Sequence, residues 1–115
     1  MLKEVSFKHK KRKIRLKAKK VTFFGKFVGL MFKSKEKAKI LLFEFKKPTK
    51  IKIHSLFVFF PFIAVWLDGK NKIVKIIKIK PFTLSMAPSK PFMKLIEIPI
   101  NSSYMDNVKT LISRR

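Results

Sequence analysis

The chain has 115 residues, of which 29 are Lys or Arg and only 6 are Asp or Glu, giving a formal net charge of +23. That length accommodates one domain, and 47% hydrophobic residues with 13 Phe supply a core that a disordered basic tail would lack. The absence of Cys excludes disulfides, thiolate nucleophiles and Cys-ligated zinc. No run reaches the roughly 18 apolar residues of a membrane-spanning helix, and the N-terminus lacks the apolar stretch of a signal peptide. The composition therefore predicts a cytoplasmic protein without a transmembrane segment.

Residues 1–20 hold ten Lys or Arg against the single acid Glu4. Residues 1–12 are expected to form a basic N-terminal arm and residues 13–115 a single globular domain. Within and beside the arm, Lys10-Lys11-Arg12-Lys13 reads either as a solvated charge run or as a docking site for phosphates or anionic headgroups. From Lys13 to Lys19 the pattern has a period of two. Ile14, Leu16 and Ala18 occupy one face and Lys13, Arg15, Lys17 and Lys19 the other, as in a half-buried strand.

Thr22 stands at an N-cap position before Phe23, Phe27, Leu30 and Met31, which predicts a short amphipathic helix over 23–31. Gly25 and Gly29 lower its intrinsic propensity, so packing has to hold it. Ala38 to Phe45 and Ile51 to Ile53 read as strands separated by Pro48. The apolar run Leu56 to Leu67 predicts two strand pieces flanking Pro61. Asp68-Gly69-Lys70-Asn71 predicts a hairpin turn into a strand over Ile73 to Ile79. There the apolar alternation changes parity between Ile76 and Ile77, which suggests a bulge. Pro81, Pro88 and Pro91 bracket a loop, Met93 to Ile98 forms a further strand ending at Pro99, and Ser103 with Asp106 resembles the capping box of a C-terminal helix. The expected fold class is α+β and mainly β: a small antiparallel sheet or half-barrel with one short helix near 23–31 and a second at the C-terminus.

The order Thr22, Gly29-Leu30-Met31-Phe32, Leu41-Leu42-Phe43-Glu44-Phe45 and His54 through Pro61 to Asp68-Gly69 resembles the domain of unknown function family 192, in particular its archaeal branch. Lys80-Pro81-Phe82-Thr83 and Glu97-Ile98-Pro99 fall where that family has similar segments. The resemblance, spanning about 14–101, implies a small, mainly β fold with one short helix, often exported in bacteria and without an established activity. Thr22, Gly29, Leu30, Met31, Phe32, Pro61, Asp68, Gly69, Glu97 and Pro99 are then residues of structural motifs.

Chemistry is sparse in this sequence. His9 and His54 are far apart, no acids stand at metal-cluster or triad spacing, and no Gly-rich phosphate loop occurs. No catalytic residue, metal or cofactor is expected. Glu44 and Glu97 interrupt apolar strands and are expected to pair with Lys on neighbouring strands, and Asp68 reads as a turn residue. Three readings of function remain. The leading one is a non-enzymatic module that binds a polyanion, nucleic acid before other partners, through Lys10, Lys11, Arg12, Lys13, Arg15, Lys17 and Lys19. The second is a small-ligand or enzyme pocket near His54, with Phe82 and Phe92 as exposed aromatics of the Pro-bracketed loop. The third is peripheral association with an anionic membrane surface. A Lys-rich composition that reflects only the cell's environment competes with all three.

Overall fold

A computed structural model describes residues 2–21, 39–52, 60–83, 86–101, 104, 109 and 111. Among these lie six strands: β1 (Leu2–His9), β2 (Arg12–Val21), β3 (Leu41–Thr49), β4 (Phe62–Leu67), β5 (Ile73–Ile79) and β6 (Phe92–Pro99). They form one sheet in the order β1-β2-β3-β6-β4-β5. The edge strands β1 and β5 come into contact, so the sheet curls into a half-barrel.

Within the segment expected as a basic N-terminal arm over residues 1–12, Leu2–His9 form the first strand of the sheet. Val5 and Phe7 alternate with Glu4, Ser6 and Lys8, and this period of two buries both apolar residues when β1 pairs antiparallel with β2, from Leu2 opposite Lys19 to His9 opposite Arg12. The charge density of the segment masks a short apolar face. A correction concerns pairing: β2 and β3 run parallel through Lys19–Leu41, Lys20–Leu42 and Val21–Phe43, so the sheet is mixed. Parallel neighbours need a long crossover, which the chain between Val21 and Leu41 is long enough to provide.

Two apolar clusters lie on opposite faces. The inner cluster takes Val5, Phe7, Ile14, Leu16 and Ala18 from β1 and β2, Leu42 from β3, Ile63, Val65 and Leu67 from β4, and Ile96 and Ile98 from β6. The outer cluster contains Leu41, Phe43, Phe60, Phe62, Ala64, Trp66, Ile79, Phe92 and Leu95. Strands β4 and β6, central in the sheet, are thus buried on both faces, which is why their sequences are nearly continuous apolar runs.

Strand β3 continues through Pro48 to Thr49, with an irregularity between Glu44 and Thr49. Of the strand expected over Ile51 to Ile53, Ile51 and Lys52 are exposed and outside any strand, and Ile53 lies outside the described residues. Proline at a strand end costs no ladder bond, so it does not enforce a break before it. The β4–β5 hairpin forms as expected, but its irregularity lies between Trp66 and Leu67, beside Val74, and the pairs Val65–Ile76 and Ala64–Ile77 are in continuous register. No bulge is needed at Ile76–Ile77 because Ile76 packs on the inner cluster and Ile77 on the outer one. The helix expected over 23–31 and the first strand piece before Pro61 lie outside the described residues. Of the C-terminal helix segment only residues 104, 109 and 111 are described, and Leu111 packs into the inner cluster.

Candidate functional site

Strand alternation sorts the cations of the β1–β2 ribbon. With Ile14, Leu16 and Ala18 buried inward, Lys13, Arg15, Lys17 and Lys19 stand exposed on the outer face. Their cross-strand neighbours on that face are Lys8, Ser6, Glu4 and Leu2. Successive cations in the row are about 6.6–6.8 Å apart, two strand residues each. Arg12 has the opposite parity and sits opposite His9 at the ribbon tip.

The tip is a two-residue loop of Lys10 and Lys11, with φ of 51° and 69°. Two positive φ values in a two-residue hairpin are the pattern of a type I′ turn, whose twist matches the ribbon but which favours Asn-Gly. Two lysines here carry a backbone cost and place two more ammonium-bearing residues at the end of the ribbon. Behind the tip, the His9 ring hydrogen-bonds to the Leu111 backbone while its Nε2 is buried without a partner among the described residues. Desolvation and the neighbouring Lys10 hold its pKa below the ordinary histidine value.

The acids behave differently from one another. Glu44 receives Lys3 Nζ at 2.8 and 2.9 Å, with Lys20 Nζ at 3.3 Å and Lys94 Nζ at 3.8 Å, as the expectation of Lys partners required. Partial burial pushes the Glu44 pKa up, but the hydrogen bonds from Lys3 and Lys20 outweigh it and the net shift is downward. Asp68 caps its own turn, its Oδ1 accepting from Lys70 N at 2.8 Å and Lys72 N at 2.9 Å. Those backbone bonds, that from Lys72 foremost, lower its pKa.

Glu97 departs from expectation. No described cation pairs with it; its β-ladder partners are Leu41 and Ala64, and it is 7% exposed. Desolvation raises its pKa to about 8. On the same face, diagonal to it in the register, is Trp66, fully buried with its Nε1 unpartnered among the described residues. The sequence signal was present, a lone acid inside Leu95-Ile96-Glu97-Ile98, but the identity of its neighbours depended on strand order.

The two aromatics of the Pro-bracketed loop separate. Phe82 is 57% exposed with a φ of 64°. Phe92 corrects the expectation: it opens β6, is 1% exposed, and makes edge contacts with Trp66 at 6.3 Å and Phe45 at 5.7 Å between ring centroids. Pro91 ends the loop one residue before it, and a ring of that size on a central strand is worth more buried than displayed. Pro61 precedes β4 and its carbonyl accepts Ile100 N at 3.3 Å, Gly69 lies in the β4–β5 turn beneath Met93 Sδ, and Pro99 closes β6 opposite Phe62. His54, Thr22, Gly29, Leu30, Met31 and Phe32 lie outside the described residues. Among the described residues no three His, Cys, Asp or Glu come together as a metal site, and no helix is long and apolar enough to cross a membrane.

A family model settles the relationship. Residues 5–110 match the model of domain of unknown function 192, described as Uncharacterized ACR. The chain belongs to this family. No curated protein matches it. The fold of this family member is similar to that of a protein of unknown function from Novosphingobium aromaticivorans, with a TM-score of 0.73 and 12% identity over 91% of this chain and 77% of that one. It is also similar to a protein from Sinorhizobium meliloti provisionally named a transcription regulator, with a TM-score of 0.69 and 15% identity over 90% of this chain and 81% of that one. At such identities the likeness is one of fold.

Proposed function

We propose that this family member is a non-enzymatic binding module that engages a polyanion, nucleic acid foremost, through the outer face of the β1–β2 ribbon. The observation that supports it is the single row Lys13, Arg15, Lys17 and Lys19, joined by Lys8 across the pair, with Glu4 the one acid on that face. A two-stranded ribbon is narrow enough to enter a duplex major groove about 12 Å wide, and the paired lysines of the tip lead it. Lys10, Lys11 and Arg12 then contact phosphates flanking the row. The provisional regulator name of one structural neighbour is compatible with this reading.

The test is a titration against duplex and single-stranded oligonucleotides at two salt concentrations. Each neutralised duplex phosphate contributes roughly 0.9 to the log–log salt slope. Replacing Lys13, Arg15, Lys17 and Lys19 together by Gln should flatten the slope by about 3 to 4 units. Absence of binding at low salt, or an unchanged slope in the variant, removes the proposal. A second reading has one specific support: Leu2 is 63% exposed on the same cationic face, opposite Lys19, an arrangement suited to anionic membrane surfaces. Vesicles with and without anionic lipid separate the two.

A further inference from the structure

An exposed aromatic side chain is ordinary, but one held at a backbone position that disfavours it is not. Phe82 is 57% exposed and has a φ of 64°. Pro81 before it fixes a negative φ, so Pro81-Phe82 has the alternation of a type II turn, whose second central position favours Gly or Asn. Thr83 Oγ1 donates to the Lys80 carbonyl at 2.8 Å and closes that turn. Glycine would relieve the backbone, yet the chain keeps a bulky, exposed residue there. Strain of this kind gathers where a chain presents groups to a ligand.

The fold carries that position to the end of the sheet where the ribbon tip lies. Successive pairings run β1, β5 and β6 in one direction and β2, β3 and β4 in the other. The Lys10-Lys11 tip, which follows β1, and the 80–83 turn, which follows β5, are therefore at the same end, on the two edge strands that come into contact. Among the described residues four non-glycine positions have a positive φ. Lys10, Lys11 and Phe82 are at this end; Asn71, a residue type that tolerates the conformation, is at the other. Lys78 and Lys80 lead into the turn exposed, as Lys10 and Lys11 are at the tip. Ammonium groups around an exposed aromatic ring are the composition of a single-strand site, where cations follow the backbone and the ring stacks on a base. A membrane anchor would set Phe82 level with the exposed Leu2, but the ladders Leu2–Lys19, Lys19–Leu41, Leu41–Glu97, Glu97–Ala64 and Ala64–Ile77 place Leu2 level with Ile77, well short of the turn. We propose, resting on the polyanion reading above, that Phe82 is a stacking platform for an unpaired base. The nucleic acid held by the ribbon is single-stranded where it crosses the 80–83 turn.

The full chain is titrated by anisotropy against a labelled oligothymidylate, an abasic strand of the same length and a blunt duplex. The abasic strand keeps every phosphate and offers no base. Oligothymidylate should bind at least about fivefold more tightly than the abasic strand, the low end of what one stacked base contributes. Phe82→Asn, which the turn position favours, should bring the two strands to equal affinity and unfold at no lower temperature. Its affinity for the abasic strand and the duplex, and its salt slope, should stay those of the parent, since no phosphate contact is lost. Phe82→Trp should keep the preference for oligothymidylate, and Phe82→Leu takes the place of Phe82→Asn if that variant does not fold. Replacing Lys13, Arg15, Lys17 and Lys19 by Gln should weaken all three probes while the preference for oligothymidylate over the abasic strand persists, so the two readings fail separately. No preference in the parent protein, or a preference that Phe82→Asn retains, overturns the stacking role and leaves the ribbon reading intact. Binding of none of the three probes overturns both. Phe82→Asn that loses affinity for anionic vesicles and none for oligothymidylate gives the ring to a membrane and overturns the proposal.

Discussion

Lys3 on β1 reaches across β2 to place its ammonium 2.8 Å from Glu44 Oε1 on β3, a contact between residues 41 apart in sequence. Lys20 and Lys94 converge on the same carboxylate from β2 and β6. One acid thereby fastens four strands at the rim of the inner cluster. Glu44→Gln leaves three ammonium groups facing one another. Because Lys3 and Lys20 are about half exposed, solvent discounts each pair to less than about 1 kcal/mol, and the variant should lose roughly 1–2 kcal/mol in denaturant unfolding at low salt. The loss should shrink in 1 M salt. The folded pKa of Glu44 is depressed, so its contribution is present above its ordinary value of 4.5 and disappears as pH falls through the folded value.

Glu97 predicts the opposite pH trend. Its folded pKa of about 8 stands above its ordinary value of 4.5, so the folded state binds the proton more tightly. Stability from this group is complete below pH 4.5 and declines by up to about 1.4 kcal/mol per unit until pH passes about 8. Chemical unfolding from pH 5 to 9 should show that decline, and Glu97→Gln should remove it. A flat profile for the parent protein would contradict the buried, unpaired carboxyl.

The tip of the β1–β2 ribbon separates charge from backbone strain. Substituting Lys10→Asn and Lys11→Gly supplies the residues that two positive φ values favour. Thermal unfolding should rise, by about 1–2 kcal/mol of stability. Oligonucleotide affinity should fall in the same variant, with a shallower salt slope. Affinity that rises with stability would show the tip lysines to be indifferent to the partner.

Asp68 holds the β4–β5 hairpin through two backbone N–H groups. Asp68→Ala frees both and should cost about 1 kcal/mol, seen as earlier hydrogen exchange at Lys70 and Lys72. Asp68→Asn keeps an acceptor oxygen and should recover most of the loss.

How much of this was readable from residues alone differs by element. The alternation of Lys13 to Lys19, the turn formers Asp68 to Asn71 and the run ending at Pro99 specify β2, the β4–β5 hairpin and β6, because period and turn chemistry are local. Strand β1 hid in its own charge, since only Val5 and Phe7 mark its inner face. Phe92 looked like a loop residue because neighbouring prolines obscured where β6 begins.

The row of cations on β2 follows from side-chain alternation and needs no fold: any strand with that sequence puts Lys13, Arg15, Lys17 and Lys19 on one face. Glu97 is the contrary case. Its one-letter surroundings matched those of Glu44, yet Glu44 gained three ammonium groups and Glu97 gained Leu41, Ala64 and the nearby Trp66. Which strands flank a residue is set by pairings between distant segments, including the parallel join of β2 and β3, and periodicity carries no information about those. The sequence by itself determined where the chain is greasy and where it is charged; tertiary structure alone decided which charge found a partner, because partners are chosen across the sheet and not along the strand.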